Sequence, residues 1–232
     1  MAEESEVMEQ NPDSLVGASA HENKSDCYAA GERTWMEAGQ RLRAYWLSPL
    51  LRWLTQRGIT ADFLTVMSGV IGFAFVPCYL SGYLWAATAM LVVHVLMDGL
   101  DGPLARFQMA DSSRGSFTDT FTDQAVVTAV TIAWMILNPS SFVIATGSAY
   151  LFLYALVVGM AMVRNALHVP YSWLVRPRFV VYVSIVFDAW NASSWTIPVM
   201  TVCNVLLAIK TLSGFFKLRR QLPGPAQEGR GN

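Results

Sequence analysis

Charge is scarce in this chain. Asp, Glu, Lys and Arg make up 14% of its 232 residues, against about 25% in an ordinary soluble domain. Hydrophobic residues reach 53%, and mean hydropathy is +0.36. That balance excludes global disorder and argues against a soluble enzyme. A basic excess is also lacking. The formal net charge is −1, so no nucleic-acid partner is expected. Cysteine is sparse too. Cys27, Cys78 and Cys203 are scattered and odd in number, which excludes a disulfide framework and any zinc-ligand spacing. The length suffices for one domain or at most two.

The missing charge is missing in blocks. Residues 63–97 and 124–163 contain no Asp, Glu, Lys or Arg, and 179–209 contain only Asp188. A membrane-spanning helix takes about 20 residues, so each window suits two short crossings. Each also carries turn residues near its middle. These are Pro77 and Ser81-Gly82, then Asn138-Pro139-Ser140-Ser141, then Asp188, Asn191 and Ser193-Ser194. The pattern predicts an all-α integral membrane bundle of six transmembrane helices. They fall near 63–80, 83–106, 115–137, 142–164, 179–190 and 195–215.

The hairpin tips lack Lys and Arg altogether. All 16 basic residues lie in the N-terminal segment, the 98–115 and 164–178 connections, or the last helix and C-terminal tail. By the positive-inside rule that side faces the cytoplasm, together with both termini. The expectation is a multi-pass protein of the cytoplasmic (inner) membrane.

The N-terminal segment is different in kind. Residues 1–37 hold nine of the 17 acids, with only Lys24 and Arg33 as bases. Residues 1–34 read as a disordered acidic tail. No basic stretch precedes an apolar core there, so no signal peptide is expected. Residues 35–57 set Trp35, Leu42, Tyr45, Trp46, Leu50, Trp53 and Leu54 at helical spacing between Arg41, Arg43, Arg52 and Arg57. That suits an amphipathic helix in the cytoplasmic interface. A short soluble helix packed on the bundle is the alternative. The membrane domain is then 58–220, and 221–232 a flexible tail.

Acids return at the inner ends of the second and third helices. Asp98 and Asp101 are three residues apart, and Asp119 and Asp123 four apart. On a helix each pair shares a face. Two antiparallel helices joined by the 98–115 connection bring all four together at the membrane edge. Four carboxylates there repel one another strongly, and Arg106 alone does not balance them. Two divalent cations could. Oxygen ligands select Mg²⁺ or Mn²⁺, and two such ions can clamp a substrate diphosphate. Helix-end acids that merely cap helices and pair with Arg106 and Arg114 are the plain alternative. It suits one Asp better than four in a membrane protein. His94, four residues before Asp98, reads as a satisfied buried histidine or as a partner of the cluster.

The run Asp98-x2-Asp101-Gly102-x2-Ala105-Arg106-x8-Gly115-x3-Asp119-x3-Asp123 resembles the signature of the CDP-alcohol phosphotransferases at every fixed position. The resemblance covers roughly residues 35–220. It implies six transmembrane helices, an amphipathic N-terminal helix and an activity. A substituted phosphate passes from a CDP-alcohol, most often CDP-diacylglycerol, to an acceptor alcohol with release of CMP, in phospholipid biosynthesis. It implies two Mg²⁺ or Mn²⁺ ions. Asp98, Asp101 and Asp119 would hold one, and Asp98, Asp119 and Asp123 the other. Asp123 would also be the general base. Gly102, Ala105 and Gly115 would leave room for the CDP-alcohol, and Arg106 would contact its phosphates. Ser112 stands where the family often places a hydroxyl near those phosphates. The family often opens its first membrane helix with Pro-Asn-x-Leu-Thr to hold the nucleotide. Here the run is Ala61-Asp62-Phe63-Leu64-Thr65, a departure at Asp62. Homodimers through membrane helices are the family habit.

Arg164, Arg176 and Arg178 lie on the same side as the aspartates. They are candidates for binding an acceptor phosphate, or anchors to anionic lipid headgroups. Two other functions compete. A membrane prenyltransferase also binds a diphosphate through aspartates, but its aspartate motifs would stand farther apart. A cation transporter would place acids near mid-membrane and a polar path through the bundle, but apart from Asp188 near a loop no charged residue lies on the outer side.

Overall fold

The structure, a computed structural model, describes residues 46–110, 112–166 and 177–221. The acidic tail, the start of the amphipathic segment, Arg176 and the C-terminal tail fall outside those residues. Seven helices and no strand are present among the described residues. They are α1 (46–56), α2 (Ala61–Leu80), α3 (Leu84–Phe107), α4 (Ser113–Leu137), α5 (Ser141–Ala166), α6 (Arg178–Asn191) and α7 (Thr196–Gln221).

Local signals account for the boundaries. Thr60 caps α2 by accepting the Phe63 N–H at 3.2 Å, and Ser112 caps α4 by accepting the Gly115 N–H at 3.0 Å. A hydroxyl at this position satisfies one of the helix's orphan donors. The α2–α3 turn closes through Gly82 at φ 78°, a left-handed conformation that costs glycine little. At the α6–α7 turn Asp188 accepts from Ser193 Oγ at 2.7 Å, Trp195 N at 2.8 Å and Thr196 N at 2.7 Å. The charge in the third apolar window is thus consumed in capping α7, and does not line a path through the bundle.

Five helices, α2 to α5 and α7, are long and apolar enough to cross a membrane. The 14 residues of α6 rise about 21 Å, short of the bilayer's hydrocarbon core of about 30 Å. Five of the six expected crossings therefore meet the criterion. At the tips of the α2–α3 and α6–α7 hairpins, Tyr83, Trp85, Trp190 and Trp195 are exposed. Trp85 meets Trp190 edge-on with ring centroids 4.3 Å apart. Aromatics at this level favour the membrane interface.

Helix α4 supplies the centre of the core. Val126, Val127, Val130 and Ala133 are fully buried against Phe75, Leu91, Tyr150, Ile185 and Met200. Lipid is as apolar as leucine, so association of these helices rests on close packing, not on escape from water. The small face of α2 provides it. A Cβ on Gly69 would lie 2.6 Å from Thr122 Cγ2, and one on Gly72 would lie 2.7 Å from a Val126 methyl. Helices α2 and α4 touch there as closely as backbone allows.

Helix α1 packs on the bundle by one face and exposes aromatics on the other. Leu51 and Leu54 are buried against Leu64 and Leu104, while Trp46, Leu50 and Trp53 face outward. Arg57 lies over the Trp53 ring, 5.1 Å from its centroid. Gln108, just past α3, donates to the Ile59 carbonyl at 2.7 Å. It ties the inner end of α3 to the α1–α2 turn.

Candidate metal centre

Three of the four aspartates expected to converge do so, from the C-terminal part of α3 and the N-terminal part of α4, although α2 and not α3 is the helix that packs along α4. Asp98 and Asp101 lie in the last turns of α3, Asp119 and Asp123 in the first turns of α4. One carboxylate oxygen each from Asp98, Asp119 and Asp123 lies within 4.8 Å of the others. The Asp98 and Asp123 side chains are only 7% and 15% exposed. Two like charges about 4 Å apart repel by about 4 kcal/mol at an effective dielectric of about 20. The group therefore needs cations.

One cation comes from the protein. Arg178, at the start of α6, sets NH2 2.6 Å from Asp98 Oδ2 and brings NH1 onto Asp123 Oδ2. Its planar fork suits two carboxylates at once. The guanidinium also lies over the Phe179 ring, 4.7 Å from its centroid. The guanidinium thus answers two of the three grouped carboxylates directly.

Asp101 stands apart from these three. Its Oδ2 accepts the Thr65 hydroxyl at 2.7 Å, and its Oδ1 accepts the Gly102 N–H at 2.6 Å. Asp119 and Asp98 are near enough to repel it. Each Asp101 oxygen still has a lone pair to spare after these two bonds, so Asp101 remains able to ligate.

The donor set fits a hard divalent ion. All donors are carboxylate oxygens, the preference of Mg²⁺ and Mn²⁺. Octahedral ligands at about 2.1 Å lie about 3 to 4 Å apart. A group spanning 4.8 Å closes on such an ion by small side-chain rotations.

The remaining sequence candidates are spread over several places. Asp62, Ser112 and Gly115 converge beside the α4 N-terminus. A Cβ on Gly115 would lie 3.3 Å from Ser112 Oγ and 3.4 Å from Asp62 Oδ1. The Arg106 guanidinium lies over Gly102, 3.7 Å from where a Cβ would stand, and Ala105 is half-buried one residue before it. Arg164 is buried in the last turn of α5. Arg178, grouped with the acceptor candidates by sequence, instead spends both terminal nitrogens on the aspartates. His94 is buried, with Nδ1 3.0 Å from the Ser68 carbonyl and 2.8 Å from its hydroxyl. The carbonyl can only accept, so Nδ1 carries the proton. This is the satisfied buried histidine of the sequence reading.

Three features escaped the sequence reading. Thr65, placed in the nucleotide run, orients Asp101. Gly69 seats Thr122, the neighbour of Asp123. Arg178 bridges two aspartates. For the first two a signal existed: Thr65, Ser68, Gly69 and Gly72 form a buried small face of α2 at helical spacing. Nothing local pairs Arg178 with residues so far up the chain.

An all-helical bundle with several helices fit to cross a membrane and three carboxylates gathered on α3 and α4 places the chain among integral membrane proteins with an acidic cluster suited to a divalent cation. The sequence model of the CDP-alcohol phosphatidyltransferases matches residues 58–213, and the chain belongs to that family. It is 31% identical over 131 residues to the phosphatidylinositol phosphate synthase of Cutibacterium acnes, covering 53% of this chain and 60% of that protein. It is 32% identical over 105 residues to the inner membrane protein YnjF of Escherichia coli, covering 44% of this chain and 50% of that protein. The chain thus matches between half and three fifths of the length of these curated relatives. Among solved structures, phosphatidylinositol phosphate synthase (PgsA1) of Mycobacterium tuberculosis with CDP-DAG bound superposes with a TM-score of 0.57 at 21% identity, over 73% of this chain and 89% of that one. The same enzyme in complex with manganese and citrate also gives 0.57, over 73% and 85%. At that identity the likeness establishes a shared fold.

Proposed function

We propose that this chain is a membrane CDP-alcohol phosphotransferase. It transfers a substituted phosphate from a CDP-alcohol, CDP-diacylglycerol in the first instance, to an acceptor alcohol and releases CMP. The observation that carries this is the convergence of Asp98, Asp119 and Asp123 within 4.8 Å at the inner ends of α3 and α4. Family membership and the ligands named for the PgsA1 structures support it.

Each role is the one the family resemblance implies for its position. Asp98, Asp101, Asp119 and Asp123 hold two divalent ions, Mg²⁺ or Mn²⁺. Such ions, when bound, supply neutralisation of the diphosphate and polarisation of the acceptor hydroxyl. Asp62, Gly102, Ala105, Arg106, Ser112 and Gly115 bind the CDP-alcohol. The glycines let the nucleotide come close, and Arg106 forks onto phosphate oxygens. Asp123 takes the acceptor's proton as its oxygen attacks the lipid-bearing phosphorus. The bond from that phosphorus to the bridging oxygen breaks, and CMP leaves with the electron pair. Arg164 and Arg176 bind the acceptor's own phosphate where it has one.

The same reading covers topology. Helix α6 serves as a short sixth crossing, shielded by α3, α4 and α7, and local thinning of the bilayer covers the deficit. An even number of crossings keeps both termini and the aspartates on the cytoplasmic side, and the functional unit is a homodimer in the inner membrane.

The test uses purified protein in detergent, stripped with EDTA and given CDP-diacylglycerol with Mn²⁺ or Mg²⁺. Serine, glycerol 3-phosphate, inositol phosphate and phosphatidylglycerol are offered as acceptors. The expected outcome is CMP release that needs both metal and one acceptor. Metal-independent release, or none with any acceptor, overturns the proposal.

A further inference from the structure

Arg178 is the most deeply placed charge in the site, 2% exposed. Its terminal nitrogens meet Asp98 and Asp123, and its Nε is buried with no hydrogen-bond partner. It therefore reaches from α6 to α3 and α4 at once and ties three helices at one point. A guanidinium so buried is tolerable only while paired, because an unpaired buried charge is costly. The carboxylates need it equally. Asp98, Asp119 and Asp123 face one another at separations where each repels the next.

We infer that Arg178 is the resident countercation of this cluster: it holds Asp98 and Asp123 together before a divalent ion arrives, and it opposes that ion's charge once it does. The residue thereby sets metal affinity and positions two ligands without itself being a ligand. The inference rests on the divalent-metal reading above.

Two consequences have opposite signs, and this makes them testable. Losing the guanidinium leaves three facing carboxylates and destabilises the metal-free protein. The same loss removes a positive charge from oxygens that a divalent ion would use, so the ion binds more tightly. A residue that only shaped the site would weaken metal binding when lost. A residue kept for the acceptor would change the acceptor's KM and leave metal affinity alone.

The experiment is a Mn²⁺ titration of the full chain in detergent micelles, followed by electron paramagnetic resonance, with thermal unfolding in EDTA and in saturating Mn²⁺. For Arg178→Gln the expected results are a Kd for Mn²⁺ at least tenfold tighter, a lower Tm in EDTA and a larger rise in Tm on adding Mn²⁺. Arg178→Lys keeps the charge but cannot fork to both carboxylates. Its Kd should stay within threefold of the parent, with an intermediate Tm in EDTA. A Kd unchanged or weaker in Arg178→Gln overturns the inference. So does a tenfold change in either direction in Arg178→Lys, which also decides the matter if the Gln variant does not fold. Failure of the parent chain to bind Mn²⁺ removes the metal reading itself; binding by the parent without the expected shift removes only the role given to Arg178.

Discussion

Replacing Gly69 with alanine tests whether the α2–α4 contact positions the aspartates. The added Cβ would stand 2.6 Å from Thr122 Cγ2, where carbon atoms ordinarily keep about 3.5 to 4.0 Å. About 1 Å must therefore be found. The obstructing methyl belongs to a β-branched side chain with only two usable rotamers in a helix, so relief takes a rotamer change at Thr122 or a parting of the helices. Overpacking of this kind costs about 1 to 3 kcal/mol. Thr122 adjoins Asp123, so the displacement falls on the reacting end of α4. A misplacement of about 1 Å there is worth about a hundredfold in rate. The assays are thermal unfolding and CMP release at saturating Mn²⁺. Gly69→Ala should lower both. The next Thr122 atom, Cβ, is 3.9 Å away, so Thr122→Ser removes the clash. The double variant should recover most of the stability and rate, giving a large coupling between the two positions. Parent-like activity in Gly69→Ala, or no recovery on adding Thr122→Ser, would refute the packing argument.

Three other outcomes are expected. Asp98→Asn or Asp119→Asn should lower kcat by more than tenfold, a barrier change above about 1.4 kcal/mol, while the protein still inserts and unfolds cooperatively; a smaller loss contradicts ligation of both ions. Asp101→Asn keeps a hydrogen-bond acceptor for Thr65 and should be partly rescued by excess Mn²⁺, whereas Asp123→Asn should lose kcat that no added metal restores; equal rescue would leave Asp123 a ligand and no base. Single cysteines introduced at residues 82 and 140, in a background without native cysteines, should react with an impermeant thiol reagent only from the outer face, and labelling from the inner face alone would invert the topology.

Much of the architecture was legible along the chain. The third and fourth crossings were expected at 115–137 and 142–164, and the helices run Ser113–Leu137 and Ser141–Ala166. Uncharged length and turn residues suffice for this, because lipid forces backbone polar groups to pair within a helix. The last helix continues past the expected 215 to Gln221, carrying Lys217, Arg219 and Arg220 toward the interface. Apolar periodicity could not fix that end, since long basic side chains keep their stems in lipid and their charge in water. Asp188 drew attention as a lone acid in an apolar window. Its role as the cap of α7 depends on how the turn folds back on it.

The sequence by itself determined the membrane class, the family and the placing of two aspartate pairs near the ends of two consecutive helices. All of these follow from local spacing: three or four residues set a helix face, and a short connection keeps the two helix ends at the same level, while α2 packs against both helices. Only the tertiary structure decided how those aspartates differ. Thr65 holds Asp101 across 36 residues, and Arg178 joins Asp98 across 80. Pairings at such separations depend on which helices pack together and how closely. Here that closeness comes from the small face of α2 and the burial of the first turn of α6. It separates one aspartate held by a hydroxyl from two held by a buried guanidinium.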